Sequence, residues 1–337
     1  MAGASRPEGL GAAVAAVSHQ TVETNGIRMH IAEQGSGPLV LLCHGFPESW
    51  YSWRHQMAAL ADAGFHAVAP DMRGYGQTDR PVEIDQYTLL HLVGDMVGLV
   101  DALGERTAVI AGHDWGAPVA WHYALLRPDL FRAVIGLSVP YRPRSPIRPT
   151  TRMPQTDDAV FYQLYFQTPG VAEAELERDV RLTIRSVLHS GSGDWPRGDR
   201  TTQSGVGMVP RQGGFLSHMR PPASLPAWLT EADIDFYAGE FGRTGFRGGL
   251  NWYRNIDRSW ELMAPFASSV VTVPALYVAG DRDLVVAFPG MDKVIAGLKS
   301  FVPGLRATMM LPGCGHWTQQ ERAREVSAAM VEFLQTL

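Results

Sequence analysis

Cysteine is scarce in this chain: Cys43 and Cys314 are the only two among 337 residues. Two thiols so far apart build no disulfide framework, and they suit a reducing, cytoplasmic setting in which both stay free. No apolar run approaches the ~18 residues that a membrane-spanning helix needs, so a membrane span is not expected. Basic charge is short as well. With 29 Lys and Arg against 34 Asp and Glu, net charge −5, the chain lacks the footprint of a nucleic-acid binder. Residues 1–17 hold one Arg and a weak Ala/Val stretch but no long apolar core, which reads as a poorly ordered arm rather than a secretory signal. The last absence is local. "AVIAGHDWGAPVAW" has the form of a strand, a G-x-S-x-G elbow and a helix, but Asp114 stands where a hydrolase of that pattern carries serine.

What is present is an α/β grammar. "TVETNGIRMHIAEQG" alternates apolar and polar residues about Asn25-Gly26, a two-residue hairpin signal. Buried-strand runs follow in "PLVLLC", "HAVAP", "TAVIAG" and "FRAVIGLSV", separated by helical spacing over residues 50–63, in "TLLHLVGDMVGLVDAL" and in "APVAWHYALL". Short apolar strands alternating with helices imply a mostly parallel sheet covered on both faces. After "YRPRSPIRPTTRMP" the pattern turns helical and irregular, and 191–226 is so rich in Gly and Pro that it reads as a long mobile loop. Strand and helix alternation resumes with "VPALYVAG" and "RATMMLPG" and closes on a helix from about residue 321. The expected organisation is a core of 18–140 and 266–337 interrupted by a mainly helical insertion, 141–265.

Ligands of open parallel sheets sit at the carboxyl ends of the strands. Three reactive residues follow expected strands there: Asp114, Asp283 and His316, in the order nucleophile, acid, histidine. Asp283 would orient the imidazole through one ring nitrogen while the other addresses a water. The "HGFP" loop supplies a second part, since the backbone N–H groups of Phe46 and Trp115 would form an oxyanion hole on the Asp114 carboxyl. Each residue alone has a plainer reading: Asp114 as a helix N-cap, Asp283 as a turn residue beside Asp281, His316 as a satisfied core histidine. Their joint order beside "HGFP" favours the catalytic one.

"HGFPESWYSWRHQ", "DMRGYGQTD", "GHDWGAPVAW", "FYQLYFQTPGVAEAELE", "GFRGGLNWYRN" and "CGHWTQ" resemble the soluble epoxide hydrolases of the α/β-hydrolase superfamily, over nearly the whole chain from about residue 18. The resemblance implies an eight-stranded hydrolase core with a helical cap. By it, Tyr162 and Tyr253 match the paired cap tyrosines that bind and protonate the epoxide oxygen, whereas Tyr165 reads as packing. The same motifs suggest His44, Pro47, Trp50, Tyr51 and Trp317 as pocket residues, although Trp50 and Tyr51 equally fit packing. The N-terminal phosphatase domain of some relatives is not expected in this chain. The substrate expected is a small apolar epoxide, with no metal or organic cofactor, and a homo-oligomer is compatible with the sequence. As a base, His316 must be neutral, which predicts an acid limb in the rate near an unperturbed imidazole pKa of about 6.5. Two alternatives stay open: a dehalogenase on the same fold, and a non-catalytic receptor that keeps the pocket. Dehalogenase types carry a halide-binding Asn where this chain has Phe46, or Arg where it has Trp115.

Overall fold

The computed structural model describes residues 16–196 and 205–337, so the expected N-terminal arm lies outside the described residues except for its end. β1 (Ser18–Thr24) and β2 (Ile27–Gln34) form an antiparallel hairpin. Its turn residues Asn25 and Gly26 both have positive φ, 47° and 77°, the geometry that lets a two-residue turn follow the twist of its strands. The chain continues through β3 (Leu39–Cys43), β4 (His66–Pro70), β5 (Ala108–His113) and β6 (Phe131–Leu137). Next come the short β7 (Ala159–Phe161) and β8 (Met208–Pro210), then β9 (Ala275–Gly280) and β10 (Leu305–Leu311).

Eight of these strands form one sheet in the order β1-β2-β4-β3-β5-β6-β9-β10. β2 runs antiparallel to both of its neighbours, and the pairs from β4 to β10 are parallel. β7 and β8 make a separate antiparallel ribbon. Helices α1 (Arg54–Asp62), α2 (Leu89–Ala102) and α3 (Gly116–Leu126) belong to the first part of the chain. Between β6 and β9 lie α4 (Tyr162–Tyr165), α5 (Val171–Leu176), α6 (Val180–Gly191), α7 (Glu231–Thr244), α8 (Arg247–Arg254) and α9 (Ile256–Leu262). The chain ends with α10 (Met291–Ala296), α11 (Thr318–Glu321) and α12 (Ala323–Gln335).

The continuous apolar runs have a simple cause, because both faces of the central strands are buried. Leu39 and Leu41 of β3 face one core with Leu92, Met96 and Leu99 of α2 and Trp121 of α3. Val40 and Leu42 face the other, with Met57 and Leu60 of α1 and Met330 and Phe333 of α12. Each such aliphatic side chain contributes about 1.5–3 kcal/mol by leaving water. α2 starts where the Thr88 hydroxyl accepts the His91 N–H, and Gly104 at φ 71° follows its end. No helix among the described residues is long and apolar enough to cross a membrane.

The Gly- and Pro-rich stretch 191–226 departs from the expected loop. Residues 197–204 of it lie outside the described residues, but the remainder is built structure. Gly191 closes α6, β8 pairs with β7, and a 3₁₀ turn at Phe215–His218 follows. The Glu175 carboxylate accepts the Phe215 and Leu216 N–H groups at 2.9 and 2.8 Å, which anchors that turn. These partners are distant in sequence, so local Gly and Pro content misleads.

Candidate active site

The elbow after β5 is made by close backbone packing. A Cβ on Gly112 would lie 2.0 Å from the Gly116 carbonyl oxygen, and one on Gly116 would lie 2.1 Å from that of Cys43. Only glycine lets β5, α3 and the end of β3 approach so closely. Between them Asp114 takes φ 49°, a left-handed conformation that is costly for a residue with a Cβ and that aims its carboxylate out of the turn. Its Oδ1 accepts the Phe46 N–H at 2.7 Å. Trp115 comes next, as the N-terminal cap of α3.

The ends of β9 and β10 bring Asp283 and His316 to the same place. His316 Nδ1 donates to Asp283 Oδ1 at 3.0 Å, and its Nε2 lies 3.3 Å from Asp114 Oδ2. Asp283 Oδ1 also accepts the Val285 N–H at 2.9 Å. Burial disfavours charge on all three groups, yet their mutual attraction outweighs it. Both carboxyls are held below the ordinary range, chiefly by His316 once burial is overcome. Against burial, Asp283 and Asp114 hold His316 well above the usual imidazole value. These directions favour an imidazolium between two carboxylates.

Ser138, just beyond β6, belongs to no motif visible in the sequence. It is buried at φ 69°, with its Oγ 3.1 Å from His316 Nδ1 and a hydrogen bond to Asp283. The Tyr277 hydroxyl donates to its carbonyl at 2.7 Å and holds the strained residue in place. Asp281, the nearby alternative to Asp283, is exposed and accepts the Gly313 N–H.

Asp114 and His316 open onto a cavity of about 170 Å³ that Tyr162, Tyr253, Phe46, Pro47 and Trp317 also line. Water occupies about 30 Å³ per molecule, so the space suits a compact organic molecule. Val187, Met208 and Phe215 make much of the remaining wall apolar. Tyr162 comes from α4 and Tyr253 from α8, with ring centroids 5.9 Å apart. The Tyr162 Oη accepts the Gln163 side-chain amide at 2.9 Å, and Tyr253 is hydrogen-bonded to the Trp115 side chain. Burial, then the Asp114 charge, pushes both phenols up from their ordinary value and keeps them protonated donors. Tyr165 instead donates to Glu175 at 2.7 Å.

Three suggested pocket residues are not among those lining the cavity. His44 braces its loop: Nδ1 donates to the Gly45 carbonyl at 2.9 Å, and Nε2 accepts the Met72 N–H at 3.0 Å. Trp50 packs edge-on against His19 and Phe236. Tyr51 stacks on Phe236 of α7 and donates to Asp233 at 2.9 Å. After Pro47 the chain turns away from the cavity toward α7, so nearness in sequence to Phe46 gives Trp50 and Tyr51 no share of it.

Residues 38–323 match the family model of the alpha/beta hydrolase fold. The chain is 45% identical to Epoxide hydrolase A of Mycobacterium tuberculosis over 95% of its own length and 98% of that protein. It is 43% identical to Epoxide hydrolase 3 of Siraitia grosvenorii, covering 94% and 98%. A solved epoxide hydrolase from an endophytic Streptomyces superposes with a TM-score of 0.90 at 46% identity, covering 95% of each chain. With this fold, and with this likeness along nearly its whole length, the chain belongs to the epoxide hydrolases of the α/β-hydrolase fold.

Proposed function

We propose that the chain hydrolyses a small apolar epoxide to a vicinal diol through an ester on Asp114. One observation carries this reading: a carboxylate with a histidine 3.3 Å away and two protonated phenols face a single apolar cavity. Asp114 attacks an epoxide carbon, a C–O bond forms, and the ring C–O bond breaks with its electron pair going to the ring oxygen. Tyr162 and Tyr253 donate to that oxygen, and a phenolic proton neutralises the alkoxide. Asp114 is now a neutral ester, so one of the two carboxylates that held the imidazolium is gone. His316 gives up its proton, which restores the phenol, and becomes a base.

The neutral imidazole, oriented by Asp283, takes a proton from water as the water oxygen attacks the ester carbonyl carbon. The Phe46 and Trp115 N–H groups receive the developing oxyanion. Collapse breaks the ester bond and His316 returns the proton to the departing oxygen. The carboxylic acid left on Asp114 then passes its proton to His316, which restores carboxylate and imidazolium as the diol leaves. Both phenols come from the insertion, which makes 141–265 a cap over a core of 18–140 and 266–337.

His316→Gln tests the covalent route. It is expected to alkylate once with styrene oxide and then stall, raising the protein mass by that of the epoxide. In one turnover of the wild type in ¹⁸O-water, label should enter Asp114 and not the diol. Label passing directly into the diol, with no adduct on His316→Gln, would overturn the covalent reading.

A further inference from the structure

Glu321 has no part in the reaction just described, yet it is only 7% exposed and ends α11 directly behind the histidine loop. Its Oε2 accepts the N–H groups of Gly315 and Gly193, each at 2.8 Å, and its Oε1 accepts that of Trp317 at 3.1 Å. Gly315 and Trp317 flank His316 on either side. Gly193 belongs to the other region, in the turn that follows α6. One buried carboxylate therefore gathers the catalytic loop and the insertion. Burial pushes its carboxyl up from the ordinary value, and these three N–H groups act against that.

The contact is made from both sides. The His316 N–H donates to the Gly191 carbonyl at 2.8 Å, and the Trp317 indole N–H donates to that of Leu188 at 2.7 Å. Arg282, next to Asp283, donates to the Gly193 carbonyl at 2.7 Å. The backbones approach so closely that a Cβ on Gly193 would lie 2.1 Å from the Gly313 oxygen, and one on Gly315 would lie 2.2 Å from the Gly193 nitrogen. Val187, Ser190 and Gly191 of α6 also line the cavity, as do His316 and Trp317. The end of α6 is thus at once cavity wall and backbone support for the histidine.

We propose that Glu321 is a positioning residue for the water-activating step, locking the His316 loop to the end of α6. The seating of the insertion then sets where the imidazole meets its water. The Glu321 carboxylate spends its hydrogen bonds on Gly193, Gly315 and Trp317 and none on Asp114, Phe46, Tyr162 or Tyr253, so the lock bears directly on the base of the second step and reaches ring opening only through His316. The inference rests on the covalent reading and concerns its second half.

The test is rapid-quench mass analysis with styrene oxide, separating the rate of Asp114 alkylation from that of ester hydrolysis. Glu321→Gln keeps the shape but replaces an acceptor with a donor, and Gly193→Ala pushes the same contact apart from the other side. In each, hydrolysis should slow about tenfold to a hundredfold, the penalty of a small misplacement. Alkylation should stay within about twofold, so the alkylated protein accumulates at steady state. A purely structural role would lower the folded fraction without changing the ratio of the two rates. Unchanged ratios in whichever variants fold would overturn the inference, and so would an equal fall in both rates. If Glu321→Gln does not fold, Gly193→Ala decides the matter, and failure of both to fold would make Glu321 a folding residue and also overturn the inference. If the wild type forms diol with no adduct on His316→Gln, the covalent reading has failed instead.

Discussion

Asp114, Asp283 and His316 stand at the ends of adjacent or nearly adjacent strands, whereas Tyr162 and Tyr253 stand on short helices of the insertion. The two regions hold their side chains by different means. On the sheet side the backbone does the holding: parallel ladders, two glycines in contact, and a strained Asp114 that its surroundings fix. On the insertion side other side chains hold the helices together. Gln167 donates to the Tyr253 carbonyl at 2.9 Å, and Arg254 donates to that of Phe166 at 3.1 Å. A buried Arg254–Glu173 ion pair at 2.8 Å secures the same joint. A rigidly held Asp114, the proposed nucleophile, thus faces two phenols whose position depends on how the segment between β6 and β9 packs. The proposed nucleophile belongs to one frame and the proposed leaving-group acids to another, while the proposed base is carried by the sheet side and docked on the end of α6.

The largest effect should come from removing the second frame's chemistry while leaving its shape. Tyr162→Phe or Tyr253→Phe alone leaves one donor for the ring oxygen and should slow alkylation about tenfold to a hundredfold, while the pair together should cost about 10⁴-fold. Ester hydrolysis, run by the sheet side, should change little once an adduct has formed. Rapid-quench measurement of the two steps checks the division, and equal losses in both steps would show that the two frames share the work.

The next prediction separates the frames by pH. In the proposed mechanism alkylation needs the Asp114 carboxylate, whose pKa is held below the ordinary range, so kcat/KM should persist into mild acid. In the same mechanism ester hydrolysis needs neutral His316. Its pKa is raised in the free site, and alkylation removes the Asp114 share of that support but leaves Asp283. The hydrolysis rate should therefore rise with pH through a limb that lies above the acid limb of kcat/KM. The single limb near an unperturbed imidazole value that the sequence suggests gives way to two. Coincident limbs in single-turnover and steady-state profiles would mean that one group governs both steps.

How much of this was legible in the chain follows the same division. β3, β5 and β9 are continuous apolar runs because they are buried on both faces, and Asp114 and Asp283 follow their strands in sequence as His316 follows β10. Local patterning suffices there. Tyr162 sits on a four-residue helix after a three-residue strand, so no periodicity marks it, and only the likeness of "FYQLYF" to a family motif does. Ser138 meets His316 because β6 lies between β5 and β9, and that spatial order is invisible in the linear chain. Glu321 reaches Gly193 across 128 residues, and β8 finds its partner β7 only beyond the whole of α4, α5 and α6. Trp50 and Tyr51 show the reverse error, since residues close to Phe46 in sequence point toward α7 instead.

The smallest predicted effect concerns how the phenols are aimed. A phenol has one O–H and oxygen lone pairs, and each tyrosine already accepts from a neighbour, Tyr162 from Gln163 at 2.9 Å and Tyr253 from Trp115. With the acceptor side occupied, the O–H is left to donate, and the cavity is where an acceptor arrives. The donated bond also works against the burial that pushes the Tyr162 phenol up, and so eases its proton toward the ring oxygen. Gln163→Leu keeps the bulk and removes the donor. A neutral hydrogen bond is worth about 0.5–1.5 kcal/mol, so alkylation should slow by roughly twofold to tenfold, with ester hydrolysis unchanged. Gln163→Glu, which offers only acceptors when ionised, should be slower still, because it draws the Tyr162 proton away from the substrate. Equal rates for Leu, Glu and wild type would show that the ring oxygen alone orients the phenol. The insertion would then contribute position and not direction.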